Sequence, residues 1–375
     1  MDITFGFGEN WQRFLNEEFT EERLRIAKEH LLYVLYQDSL QGSTFLDIGC
    51  GSGIHSLAAY LSGAKSIVSL DVDANSVAAT RKMWQLAGEP EHWQVIEGSV
   101  LDESFMAGLG TFDIVYSWGV LHHTGNMWQA IKNATLPMHA ASVLYIALYA
   151  DEVYHNPSPQ YWLDLKKRYN LADADEKEQM ECEYVWEYLL RPIAERGRNP
   201  LLHIKNYKQT RGMEFWTDVR DWLGGYPMEF AKTRDMLDAQ QSLGLHLLDI
   251  HSGIGNTEFV FRQQQGTTYL DYLFNGCEIV PVTAAIRHHS GHCYEFDLPE
   301  YTELADTDGL HRKSRVLLLE DGQLVGFPHA KFDSIGSMGE GRYAHWKDKV
   351  LFSASDNTDP RTNGRKYALR LPVSG

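Results

Sequence analysis

The stretch Leu46-Asp47-Ile48-Gly49-Cys50-Gly51-Ser52-Gly53 sets three alternating glycines just after a carboxylate. Lacking Cβ atoms, such glycines let the backbone turn sharply and come close to a ligand. Where a helix follows, its first N–H groups face the same ligand and favour polar oxygens or negative charge. A dinucleotide fingerprint would need GxGxxG, but the third required position is Ile54 counted from Gly49, or Ser56 counted from Gly51. The pair His122-His123 carries a second chemistry, because an imidazole titrates near ~6.5 and can take a proton at neutral pH. The run His288-His289-Ser290-Gly291-His292-Cys293 offers zinc ligands, with His329 or His345 as a fourth. Neighbouring residues on a strand face opposite ways, so His288 and His289 converge poorly and no metal is expected.

The elements that must position these residues follow from hydrophobic periodicity. Leu24, Ile26, Ala27, Leu31, Leu32 and Leu35 recur at helical spacing. From residue 43 strands and helices alternate: strands at 44–48, 66–70, 93–96, 112–117 and 142–149, and helices at 54–61, 74–87 and 127–136. Asp73 is the expected N-cap of the second of these helices. Such alternation predicts a parallel sheet covered by helices on both faces. The rhythm pauses over 151–225, where helices are predicted at 160–168 and 176–196. It resumes with a helix near 233–242 and strands near 246–251 and 258–263. From about residue 276 short apolar runs alternate with turns, and Glu320-Asp321-Gly322-Gln323 signals a hairpin.

The D-x-G-x-G-x-G pattern resembles motif I of the class I S-adenosylmethionine (SAM) methyltransferases. Further segments fit in order: Ser69-Leu70-Asp71, Glu97-Gly98-Ser99-Val100-Leu101-Asp102, and Phe112-Asp113-Ile114-Val115-Tyr116-Ser117-Trp118 leading to Gly119-Val120-Leu121-His122-His123. Phe7-Gly8-Glu9-Asn10-Trp11-Gln12, Arg211-Gly212-Met213 and Asp221-Trp222-Leu223-Gly224-Gly225-Tyr226-Pro227 look like a bacterial, ubiquinone-biosynthesis-like, small-molecule subgroup. That likeness covers about residues 1–265. The tail, with Gly339–Trp346 and Ser355–Arg361, is similar, less specifically, to extensions on surface-polysaccharide and natural-product enzymes.

The resemblance implies an α/β fold: a Rossmann-like seven-stranded class I methyltransferase sheet with a helical lid insertion, plus a C-terminal mainly β domain. The expected domains are 1–270 for the methyltransferase, with 1–40 as N-terminal helical lid and 151–225 as inserted cap, and 276–375 as β accessory domain. It implies SAM as cofactor and S-adenosylhomocysteine (SAH) as product. Asp47, Gly49, Cys50, Gly51 and Gly53 are expected at its amino-acid end, and Asp71 with Val72 at the ribose. Ser99 and Val100 are expected at the adenine. Trp11 and Trp118, with Phe7, are candidates for an aromatic wall near the sulfonium, since cations favour aromatic faces; core filling is the competing role for such rings. If the acceptor is a hydroxyl, His123 is the first candidate base and His122 the second. Arg211, Asp221 and Tyr226 are candidate acceptor contacts, Arg211 as a clamp for a carboxylate or phosphate. Arg342, Trp346 and Arg361 could form a sugar platform.

The chain has 375 residues, with 51 Asp and Glu against 34 Lys and Arg and a net charge of −17. That balance repels phosphate backbones, so no nucleic-acid partner is expected. No basic, then apolar leader follows Met1, and no run approaches the roughly 20 apolar residues that cross a bilayer, so a cytoplasmic protein with no membrane partner is expected. Four cysteines (Cys50, Cys182, Cys277, Cys293) without a CxxC pair read as reduced thiols. The sequence thus predicts methyl transfer to oxygen or nitrogen of a small molecule, a sugar or secondary metabolite, with the β domain assisting recognition or pairing into a homodimer. A protein or peptide acceptor, and a non-catalytic SAM-binding module with a carbohydrate-binding β domain, are the alternatives.

Overall fold

A computed structural model describes residues 8, 11, 19–154, 156–211, 214–252, 255–263, 278–307 and 313–371, with the side chains of 208–211 and 252 outside that set. Phe7 and Cys277 lie outside the described residues, as does the expected domain junction near 270–276. Helix α1 (Glu21–Val34) starts at Thr20, whose hydroxyl accepts from the Arg23 N–H, and buries Ala27, Leu31 and Val34. Then come β1 (Thr44–Ile48), α2 (Ile54–Leu61), β2 (Ser66–Asp71), α3 (Ala74–Leu86), β3 (Trp93–Glu97), α4 (Glu103–Gly108), β4 (Phe112–Trp118), a 3-10 turn (Leu121–His123), α5 (Met127–Ala134) and β5 (Met138–Tyr149). Asp73 caps α3 as expected, accepting from the Asn75 N–H at 2.7 Å.

The insertion holds α6 (Pro159–Leu171), α7 (Ala174–Tyr184), a π-helical turn (Val185–Leu190), α8 (Arg191–Glu195), α9 (Pro200–Arg211) and α10 (Phe215–Gly224). It buries a core of its own, in which Tyr169, Met180, Phe215, Val219 and Leu223 pack together. After α11 (Thr233–Ala239), β6 (Leu245–Ser252) and β7 (Asn256–Gln263) complete a seven-stranded sheet of order β3-β2-β1-β4-β5-β7-β6. β1 runs parallel to β2 and β4, and β2 to β3, while β7 pairs antiparallel with both β5 and β6. The expected fold class is therefore the one observed.

The C-terminal strands are β8 (Glu278–Pro281), β9 (Arg287–Ser290), β10 (Cys293–Asp297), β11 (Leu317–Glu320), β12 (Gln323–Leu324), β13 (Tyr343–Trp346), β14 (Lys349–Phe352) and β15 (Tyr367–Leu371), with α12 (Phe332–Ser337) between β12 and β13. They form two four-stranded sheets, β13-β14-β10-β9 and β12-β11-β15-β8, around Phe296, Leu318, Tyr343, Phe352 and Leu369. The predicted hairpin joins β11 to β12 through Asp321 and Gly322, both at positive φ.

Contacts divide the chain into two compact units, Met1–Met138 with Asn156–Glu229, and His139–His155 with Phe230–Gly375. Inside the second unit Ala150 and Val153 pack with Cys293, Phe327, Ala330 and Ile335. The Arg370 guanidinium there donates to the Leu248 carbonyl.

Candidate functional site

The first unit sets the carboxyl ends of β1, β2, β3 and β4 side by side, as parallel pairing requires. Past β1 the chain doubles back: the N–H groups of Gly49 and Cys50 both donate to the Leu70 carbonyl, at 2.8 and 3.0 Å. Gly49 has φ +73°, and a Cβ there would sit 2.3 Å from Val120 Cγ1 on the turn after β4. Gly51 has φ +52° and lies under the Trp11 indole, which a Cβ would meet at 2.9 Å. Gly53 opens α2 in the left-handed region. These glycines make a bend that a ligand can approach closely, with the α2 N-terminus beyond it. Cys50 is buried and its Sγ lies 3.1 Å from Thr80 Oγ1; burial pushes its thiol well up, so the neutral form holds the loop.

Asp71 closes β2. Its carboxylate accepts from the Gly51 N–H at 3.0 Å and the Asp73 N–H at 2.9 Å. Burial pushes its carboxyl up while those N–H groups pull it down, with burial the larger. Asp73 also accepts from the Gly8 N–H at 3.0 Å, which ties the N-terminal segment to this edge. Asp47 is 3% exposed behind the glycine bend and accepts from Ser56 Oγ at 2.5 Å. Burial pushes its carboxyl to about 7, Ser56 pulls it down and Asp71 raises it further. Ser99 accepts from the Leu101 N–H at 3.1 Å, and the buried Val100 offers its carbonyl to Asn133 Nδ2 at 2.9 Å.

Three apolar side chains stand in water along this edge: Val72 at 70% exposed, Trp118 at 41% and Leu101 at 36%. The Trp118 ring lies 6.0 Å from that of His55 on α2. Uncovered apolar surface beside two carboxylates and a glycine bend suits a ligand with a flat heterocycle and a cationic end, as SAM has. The eleven expected cofactor residues thus lie on the bend, at the ends of β1, β2, β3 and β4, or over the bend in the case of Trp11.

A second group forms where the insertion meets the turn after β4, within the same unit. His123 Nδ1 lies 2.7 Å from the Pro227 carbonyl. A carbonyl only accepts, so Nδ1 carries the proton and Nε2 is left as an acceptor. Burial lowers His123 to about 3 and His122 well below its usual value. The sequence reading missed Lys166, whose amine lies 4.0 Å above the Trp222 ring and donates to the Trp222 carbonyl. Lys166 is 1% exposed; burial lowers its amine to about 7, Asp221 opposes that, and its charge further lowers both histidines. The signal was a lysine on the buried stripe Trp162-Lys166-Tyr169 of α6, where an apolar residue belongs. Tyr226 sits 5.7 Å beneath Lys167. His122, His123, Asp221 and Tyr226 are thereby brought around α6, while the side chain of Arg211, at the end of α9, lies outside the described residues.

Elsewhere the weighed clusters resolve into local pairs. His288 reaches the Gly291 carbonyl, His289 the Ser290 hydroxyl, His329 the Asp306 carboxylate at 2.6 Å and His345 the Ser314 hydroxyl at 2.9 Å. Among the described residues no group of three or more His, Cys, Asp or Glu could hold a metal ion. Arg342 is buried and donates to the Gly339 carbonyl, whereas the exposed Arg361 pairs with Asp359 over Tyr294. Among the described residues no helix is long and apolar enough to cross a membrane.

Residues 29–136 match the family model described as ribosomal protein L11 methyltransferase (PrmA). The ribosomal protein L11 methyltransferase of Pseudomonas putida (strain W619) is 37% identical over 78 residues, 18% of this chain and 27% of its own. The tRNA U34 carboxymethyltransferase of Methylococcus capsulatus is 37% identical over 84 residues, 22% of this chain and 25% of its own. This chain therefore spans about a quarter of the length of the curated relatives it matches. The magnesium protoporphyrin IX methyltransferase of Synechocystis PCC 6803 with bound SAH, a solved structure, covers 68% of this chain and 93% of its own at 12% identity, with TM-score 0.42. The stretch similar to that methyltransferase family model, residues 29–136, carries the glycine bend and the carboxylate closing β2.

Proposed function

We propose that the chain transfers the methyl group of SAM to an oxygen or nitrogen of a small-molecule acceptor held beneath the helical insertion. The observation that carries this is the meeting, in one unit, of a cofactor edge with a buried His–Lys group at the end of β4. SAM supplies an electrophilic methyl on a cationic sulfur. Asp47, Asp71, the glycine bend, Ser99 and Val100 would hold it, with Trp11 and Trp118 as the aromatic faces available to its cationic end. His123 Nε2 orients an acceptor hydroxyl by accepting its hydrogen bond. The Lys166 amine, lowered to about 7 by burial, has the proton affinity that suits uptake of the released proton at neutral pH. Positioning and exclusion of water by α6 and α10 supply most of the remaining effect.

A protein acceptor is the second reading. It is favoured by the L11 methyltransferases among the relatives, and by Asp175, Glu176, Glu178 and Glu183 on α7, which complement a basic polypeptide. Methyl-labelled SAM incubated with the protein and either a metabolite extract or a protein extract separates the two. Label in a low-mass product supports the first reading, and label in polypeptide the second. Binding of SAM with no label transferred in either mixture overturns both.

A further inference from the structure

Asp47 is not alone behind the glycine bend. Trp93 Nε1 donates to Ser69 Oγ at 2.9 Å, Ser69 Oγ lies 2.6 Å from Ser56 Oγ, and Ser56 Oγ donates to Asp47 Oδ2 at 2.5 Å. The four residues come from β3, β2, α2 and β1, and each is at most 3% exposed. Strand register sets Asp47 beside Ser69. The direction of the chain is fixed by its far end, because an indole N–H donates and never accepts. Ser69 must therefore receive from Trp93, which leaves its own proton for Ser56, and the Ser56 proton for Asp47. A protonated Asp47 donating outward would turn the Ser56 proton toward Ser69. The Ser69 proton would then have no acceptor among the described residues, a costly arrangement in a buried site.

We infer that Trp93, Ser69 and Ser56 form a one-way hydrogen-bond relay that biases Asp47 toward its ionised form beside the cofactor's cationic end. The three are positioning residues: they act through Asp47, and the relay's use rests on the SAM reading above. Burial works against the charge and the Ser56 hydrogen bonds work for it. The titratable groups facing Asp47 are Asp71 at the end of β2 and the Cys50 thiol on the bend, with Tyr116 beside it on β4 and His55 on α2 near Tyr116. The Asp71 charge opposes ionisation of Asp47 as burial does, and the relay works against both without outweighing burial.

The test is calorimetric titration of the full chain with SAM between about pH 6 and about pH 9, for wild type, Trp93→Phe and Ser69→Ala. Wild-type affinity is expected to rise as pH passes about 7. Either variant should move that midpoint up by about one unit, weaken binding up to ~10-fold near neutral pH, and converge on wild type at the alkaline end. A lost packing contact would weaken binding equally at every pH. Wild-type pH profiles in both variants would overturn the relay while leaving the SAM reading intact. Absence of SAM binding by wild type would overturn the reading instead. The relay then stands or falls on the 13C-carboxyl titration of Asp47 in cofactor-free protein, whose midpoint must rise in Ser69→Ala. Ser69→Ala also serves if Trp93→Phe does not fold.

Discussion

Two buried charges dominate at the scale of single residues, and their consequences separate cleanly. Asp47 keeps its proton to about 7 in the folded chain, against a reference of 3.8 when exposed. Between those values the native state binds the proton and the unfolded state does not, so stability falls as pH rises through that window, by up to ~4 kcal/mol. Asp47→Asn should therefore raise the melting temperature near pH 8, change it little near pH 4, and weaken SAM binding at least about tenfold. Lys166 titrates near 7 as well, but at the acceptor end. At saturating SAM, kcat for an acceptor hydroxyl should rise with pH through about 7 as the amine loses its proton. Lys166→Met should lower kcat and abolish that rise while leaving SAM affinity near wild type, as paired kinetic and calorimetric pH profiles would reveal.

Elements explain why some of this was legible in the sequence and some was not. The glycine bend and its carboxylates were readable because strand, bend and helix are consecutive and each obeys local rules. Helix 54–61 and strand 44–48 appear with the bounds their periodicity gives. Gly49 shows how tightly that local logic is enforced. Gly49→Ala must place a side chain at positive φ and 2.3 Å from Val120. Denaturant unfolding should show a loss of about 2–4 kcal/mol, partly restored by Val120→Ala. The helices at 200–211 and 215–224 went unread, since the first lacks a clear apolar stripe and tertiary packing rather than propensity holds it. The antiparallel seat of β7 between β5 and β6 is a non-local choice that no window of sequence displays. Lys166 and the His123–Pro227 contact, separated by 104 positions, were hidden for the same reason.

For the molecule as a whole, the net charge of −17 and the exposed acids of the insertion set the kind of partner that can approach. The order of the chain is not the order of its packing. Residues 139–155 and 230–263 belong by contacts with the C-terminal sheets, so the second unit draws on segments far apart in sequence. Ala150 and Val153, just beyond β5, share a core with Cys293, Phe327 and Ile335. The last hundred residues are thus no detachable cassette. A chain ending near residue 275 would bare that apolar seam to water and leave the Leu248 carbonyl without its guanidinium. It should accumulate as aggregate on expression, and light scattering beside the full chain would detect it.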